Sequence, residues 1–134
     1  MGFTNYDLIQ SVNTLNKYVE YKLPQRISYA ITKNLLRLRE DEQCYSKMLE
    51  KIVTDYKDYF IKDKDGATEM ASIGVPKVTD EVSDRYYKEI EDLLSMEIDV
   101  SLYKIDLDTF DYEEDKYDLL TANDMMELSR VLCE

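Results

Sequence analysis

The sequence predicts an α+β fold that is mainly helical, with one long helix packed with three shorter helices and a small antiparallel β element. Three observations carry this. Apolar residues recur at Ile27, Ile31, Leu35, Leu38, Tyr45, Leu49, Ile52 and Tyr56 in steps of three, four and seven, with no Gly or Pro before Gly66. A Thr followed three residues later by Asp, a variant of the capping box, opens two shorter periodic stretches at Thr4 and Thr121. Met96 to Leu102 alternates with period two, the mark of a strand with one buried and one wet face.

The first helix runs from Thr4 to about Glu20, with Leu8, Val12, Leu15 and Val19 as its apolar stripe. Lys22-Leu23-Pro24 is too short for a linker and turns this helix back on the next as an αα-hairpin. Pro24 suits the first position of the long helix, where no N–H is needed. That helix is expected from Gln25 to about Tyr59, beyond the roughly 25 residues usual in globular proteins. It cannot bury its stripe alone, so it calls for partner helices, a second copy of the chain, or both. A homo-oligomer is therefore expected.

Lys62-Asp63-Lys64-Asp65-Gly66 reads as a turn, and Gly74 and Pro76 as a second break. Residues 59–78 are thus an irregular β-hairpin or a loop. The third helix starts near Thr79 or Asp80 and ends near Ser95, with Val82, Tyr86, Ile90, Leu93 and Leu94 apolar. The strand at Met96–Leu102 follows, continuing toward Ile105 with its phase shifted. Asp106 to Asp118 is acidic with Phe110, Tyr112 and Tyr117 interleaved, and reads as a solvated surface. The last helix spans about Ala122 to Cys133, with Met125, Met126, Leu128, Val131 and Leu132 as core residues.

The 134 residues are read as one domain, residues 1–134. With 44% hydrophobic residues and 12 Tyr the chain is too apolar and aromatic for disorder. A net charge of −12 argues against binding DNA or RNA and against adhesion to anionic membranes. It leaves room for one small anionic ligand in a local positive pocket. No signal peptide and no membrane-spanning run is expected. Cys44 and Cys133 lie far apart with no motif around them, which fits free, buried thiols in a cytoplasmic protein.

The chain has no His, which removes the Ser-His-Asp and Cys-His nucleophile systems and the usual zinc sets. Neither glycine-rich phosphate loop is present, and three glycines make such a cradle hard to build. Asp63-Lys64-Asp65-Gly66 fails as a calcium loop, because Ile61 and Ser72 would fall where Asp and Glu are needed. A divalent cation on the Asp106–Asp118 acids is a minor alternative. No cofactor, no metal site and no catalytic residue is expected.

One stretch stands out. Lys17 to Arg39 holds six basic residues and one acid, Glu20, a local charge of +5. On a wheel of about 100° per residue, Tyr29, Ala30, Lys33 and Arg37 fall in a narrow sector with Arg26, roughly a third of a turn from the apolar stripe. Lys22 can join them. Arg forks match phosphate bidentately, Lys adds a point charge and Tyr can stack on a base. The candidate ligand-binding residues are Lys22, Arg26, Tyr29, Lys33 and Arg37. The competing reading is a solvated face, or ion pairs with acids elsewhere in the fold.

Lys22 to Leu35, reading KLPQRISYAITKNL, resembles a group of small phage and prophage proteins of Gram-positive bacteria that have no assigned activity. They share a short first helix, an L-P break, and a basic S-Y-A-like helix start ending in K-N-L. Leu93-Leu94-Ser95-Met96-Glu97-Ile98-Asp99-Val100 matches their second motif, L-L-x-x-E followed by alternating residues, and a capped C-terminal helix closes such chains. The resemblance covers nearly the whole chain and transfers no functional residue. It implies a phage setting in the host cytoplasm, where compact proteins of this size are assembly factors, regulators or inhibitors of defence. In general character the chain is also similar to phage proteins that sequester nucleotide immune signals. The expectation is a non-enzymatic accessory protein that binds a small phosphorylated, nucleotide-derived ligand. The alternative is a structural or assembly protein acting through protein contacts. A hydrolase using acid-bound metal is a third reading.

Overall fold

The computed structural model describes residues 2–113 and 115–134. The fold is α+β and mainly helical, in the order β1 (Phe3–Thr4), α1 (Asn5–Tyr18), α2 (Gln25–Asp55), β2 (Met70–Ser72), β3 (Val75–Pro76), α3 (Asp80–Ser95), β4 (Glu97–Ile98) and α4 (Ala122–Leu132). Short 3-10 turns lie at Lys57–Tyr59 and Leu107–Phe110.

Both Thr-x-x-Asp signals are helix starts. Thr4 caps α1 and Thr121 caps α4, each hydroxyl accepting from the backbone N–H of the Asp three residues on. The Asp carboxylates return the bond to Thr4 N at 2.9 Å and Thr121 N at 3.0 Å. Helix α1 stops at Tyr18, short of the expected Glu20, so Val19 leaves the stripe and is 43% exposed. Tyr18 and Ser11 are buried in its place. Pro24 is the N-cap of α2 and not its first helical residue; its carbonyl accepts from Ile27 and Ser28.

Helix α2 ends at Asp55, where Tyr56 leaves helical geometry and a 3-10 turn follows. Residues 59–79 form the hairpin. Three short stretches exchange backbone bonds, Glu69 N–H donating to Ile61 and Lys77 N–H to Glu69, each at 2.8 Å. Its two turns need their glycines, Gly66 at φ +82° and Gly74 at φ +75°.

The long strand expected over Met96–Leu102 is cut to Glu97–Ile98, paired antiparallel with Phe3–Thr4. Asn5 reinforces the joint, its N–H donating to Met96 and its amide to the Leu93 carbonyl. Beyond Ile98 the backbone has no strand partner, but Val100, Leu102, Tyr103 and Ile105 still pack on the core.

Two apolar clusters result. The larger joins Leu8, Val12 and Leu15 of α1, Ile27, Ala30, Ile31 and Leu38 of α2, and Leu128, Val131 and Leu132 of α4. The smaller joins Tyr56, Val75, Val78, Val82, Tyr86 and Ile90. Met126 is exposed, against expectation, because it points away from the face of α4 that carries Leu128 and Val131. Cys44 is also exposed and not buried, since the middle of α2 is uncovered; Cys133 is half-buried. No helix is long and apolar enough to cross a membrane among the described residues.

Tyr18 ties α1 to α4. Its hydroxyl lies 2.6 Å from an Asp124 oxygen and 2.7 Å from a Glu127 oxygen, and Lys17 Nζ reaches that Glu127 oxygen at 3.1 Å. A phenol has one proton, so it donates to one carboxylate at a time, and Lys17 offsets the remaining repulsion. Burial, and then the two carboxylates, push the phenol well above its ordinary range. Both carboxyls are held below theirs, first by the Tyr18 hydroxyl. A depressed carboxyl stabilises the fold above its unfolded-state pKa, and that stabilisation is lost as pH falls through its folded-state value. Tyr18→Phe is therefore expected to destabilise the protein at neutral pH, with the difference from wild type shrinking in acid. Urea midpoints of both proteins across the carboxylate range check this; a pH-independent difference would disprove it.

Candidate functional site

Helix α2 carries the basic row past the irregular segment 99–106. What holds that segment in place is Asn34, fully buried on the core side of the helix. Its amide donates to the Tyr103 carbonyl at 2.9 Å, and the Tyr103 N–H donates to its oxygen at 2.7 Å. One side chain thus supplies the pair of bonds a neighbouring strand would supply. Lys104, next in the chain, is fastened to the end of α4, its ammonium donating to the Val131 and Cys133 carbonyls at 2.9 and 3.4 Å. A cation there suits the negative end of the helix.

Fixed in this way, the Tyr103 ring meets the row. It stands edge-on to Tyr29 with centroids 5.5 Å apart. Lys33 Nζ lies 5.4 Å from the Tyr29 centroid and 5.0 Å from the Tyr103 centroid, within cation–π range of both. It also lies 3.4 Å from the Tyr29 hydroxyl. Arg26 lines a shallow depression of ≈ 210 Å³ with Tyr103, Lys104, Ile105 and Asp106. Arg37 donates to the Ser101 carbonyl at 3.3 Å.

Of the five residues expected from the sequence, Arg26, Tyr29, Lys33 and Arg37 therefore share one side of α2 along this segment. Lys22 stands apart. Its backbone exchanges two bonds of 2.7 Å with Asp118, which brings a carboxylate against that end of the row. Ala30, placed in the row by the wheel, is fully buried instead, so the row borders the core directly. Tyr103, Lys104 and Asn34 were not foreseen. Tyr103 comes from far along the chain and carries no local signal. Asn34 did carry one: it is a polar residue three after Ile31 and four before Leu38, on the apolar face.

Among the described residues the ion pairs are Lys17–Glu127 and Lys88–Asp92. None of Lys22, Arg26, Lys33 and Arg37 is paired with a carboxylate there, and the row does not lean on the acids of α3. No group of three or more acid, Cys or His side chains gathers to hold a metal among the described residues. Glu114, part of the acidic run weighed for such a site, lies outside them.

No family model, no curated protein and no solved structure matches the chain. The functional reading rests on the residues themselves.

Proposed function

We propose that this protein is a non-catalytic binder of a small phosphorylated, nucleotide-like ligand, which it sequesters through the basic row of α2. The observation that carries the proposal is the Lys33 ammonium set against the Tyr29 and Tyr103 rings, in a row whose cations form no ion pair with a carboxylate among the described residues. In a chain of net charge −12 such a row attracts anions only locally. Arg26 and Lys33 lie seven residues apart, about 10 Å along the helix, which suits two separate phosphates. Tyr29, 54% exposed, offers a ring face to a base, and Asp106 across the depression can accept from a sugar hydroxyl. The role, removal of a nucleotide-derived defence signal, is proposed by analogy, from the chain's likeness in general character to phage proteins that sequester such signals.

The alternative, a structural or assembly protein working through protein contacts, is favoured by one feature: from Arg39 to Asp55 no residue of α2 is buried.

A thermal-shift panel of mono-, di- and cyclic nucleotides and ADP-ribose derivatives separates the two. At 100 times its dissociation constant a ligand adds about 2.7 kcal/mol, a shift of several degrees in a domain this size. The shift is expected to vanish in Arg26→Ala/Lys33→Ala, while far-UV circular dichroism stays unchanged. No shift with any member, or one that survives in the variant, would overturn the proposal and leave the protein-contact reading.

A further inference from the structure

The second half of α2, from Arg39 to Asp55, leaves about 25 Å of helix with no buried side chain, unusual for a segment flanked at both ends by core. Its half-buried apolar residues, Tyr45, Leu49, Ile52 and Val53, turn toward the rest of the chain. The opposite face presents Leu36, Glu40, Gln43, Lys47, Glu50 and Lys51, all exposed, and Leu36 is 56% exposed. Cys44 borders this face.

The charges on that face are ordered: Glu40 precedes Gln43 by three residues and Lys47 follows Cys44 by three. Turning a second helix end for end about the midpoint between Gln43 and Cys44 therefore sets acid opposite base, twice. We propose that the outward face of α2, from Leu36 to Lys51, is the interface with a second copy of this chain, the two helices antiparallel about a two-fold axis between Gln43 and Cys44. The interface is isologous, each contact occurring twice.

The register explains several features together. Glu40 faces the second copy's Lys47 at the centre of the contact, and Arg39 faces its Glu50 at one rim. Leu36 lies opposite the second copy's Lys51, whose own helix carries a broad open depression of ≈ 510 Å³ lined by Lys47, Glu50, Lys51, Thr54 and Asp55. That depression seats the Leu36 side chain between lysine stems. The like-charged approach of Arg37 to the second copy's Lys51 is eased because Arg37 is drawn to the Ser101 carbonyl. The interface borders the basic row and shares Arg37 with it, while Glu40 and Lys47, which set the register, lie outside the row, so the dimer does not depend on a ligand.

The axis also brings the two Cys44 residues together on one side. At an interaxial spacing of about 9 Å, with Cys44 roughly 70° round the helix from the centre of the face, their Cβ atoms are roughly 7 Å apart, and a roll of the two helices toward that side brings them to disulfide geometry. Mild oxidation of the full chain is thus expected to give a covalent dimer that Cys44→Ser abolishes and Cys133→Ser does not. Glu40→Lys puts like charges face to face and is expected to weaken the dimer about ten-fold in sedimentation equilibrium. Glu40→Lys/Lys47→Glu restores opposite charges and is expected to recover it. Both positions are solvent-exposed, so the variants keep the fold. A monomeric mass at high micromolar concentration would overturn the proposal, and so would a dimer indifferent to the charge reversal.

Discussion

Asn34→Ala is expected to destabilise the protein by about 2 kcal/mol, since it strands two part-buried backbone groups, each toward the lower end of the roughly 1–3 kcal/mol that a buried group costs. The Tyr103 N–H and carbonyl both bond to Asn34, and no strand lies beside them to take over. A loss of this size is a sizeable part of the roughly 5–15 kcal/mol that holds a domain folded. Urea denaturation measures it, and a cost below about 1 kcal/mol would show that Tyr103 finds other partners. The same substitution frees the segment that sets the Tyr103 ring against Lys33, so anion affinity is expected to fall even where the protein remains folded. Asn34→Asp sharpens the test. Its oxygen still accepts from the Tyr103 N–H, but the Tyr103 carbonyl then faces a second oxygen unless the carboxyl is protonated. Burial and that carbonyl both raise the folded-state pKa of such a carboxyl above its unfolded value. The stabilisation is present at low pH and lost as pH rises through the folded value. Asn34→Asp should thus lie nearer wild type at about pH 4 than at about pH 7.

Asn34 also shows what the sequence could and could not reveal. The helices were legible because their signals are local. Thr4 and Thr121 with Asp three residues on, the three-and-four spacing of Leu8, Val12 and Leu15, and the glycines at 66 and 74 act within a turn or two. The alternation was real over 97–102: Ile98, Val100 and Leu102 are half-buried while Glu97, Asp99 and Ser101 are exposed, and only Met96, exposed where the pattern puts it inside, departs from it. Alternation reports which way side chains face, not whether a strand lies alongside. Here the partner is two residues of strand and then one amide side chain from α2. The basic row was legible as a row, because helix geometry sets it. Its aromatic wall was not, because Tyr103 is delivered by a chain segment 70 residues from Lys33. The expectation of buried thiols failed at Cys44 because burial depends on what covers a helix, which periodicity does not state.

Tyr86→Ala is expected to cost about 3–5 kcal/mol, the range for removing a large buried aromatic ring. Tyr86 is fully buried at the centre of the smaller cluster, its ring 5.0 Å from those of both Tyr56 and Tyr87. Its hydroxyl donates to the Pro76 carbonyl at 2.8 Å, and burial pushes the phenol up to about 12, so it remains a donor across the neutral range. This one side chain therefore holds α3 to both the end of α2 and the hairpin. Tyr56 cannot replace it, since its own hydroxyl is engaged with Glu89 and Arg85. The loss should be local, because the larger cluster of α1, α4 and the first half of α2 shares none of these residues. Hydrogen exchange is expected to accelerate over 53–93 in Tyr86→Ala while amides of Leu8 to Leu15 and Leu128 to Leu132 keep most of their protection. Tyr86→Phe keeps the ring and loses only the Pro76 bond, at about 1 kcal/mol. If protection falls uniformly across both clusters, the two unfold as one unit and the partition drawn here is wrong. If it falls only around the smaller cluster, the basic row sits on the more stable part of the molecule. Ligand binding would then survive in Tyr86→Ala, where Asn34→Ala impairs it, and the two variants together separate the platform of the site from the far end of its helix.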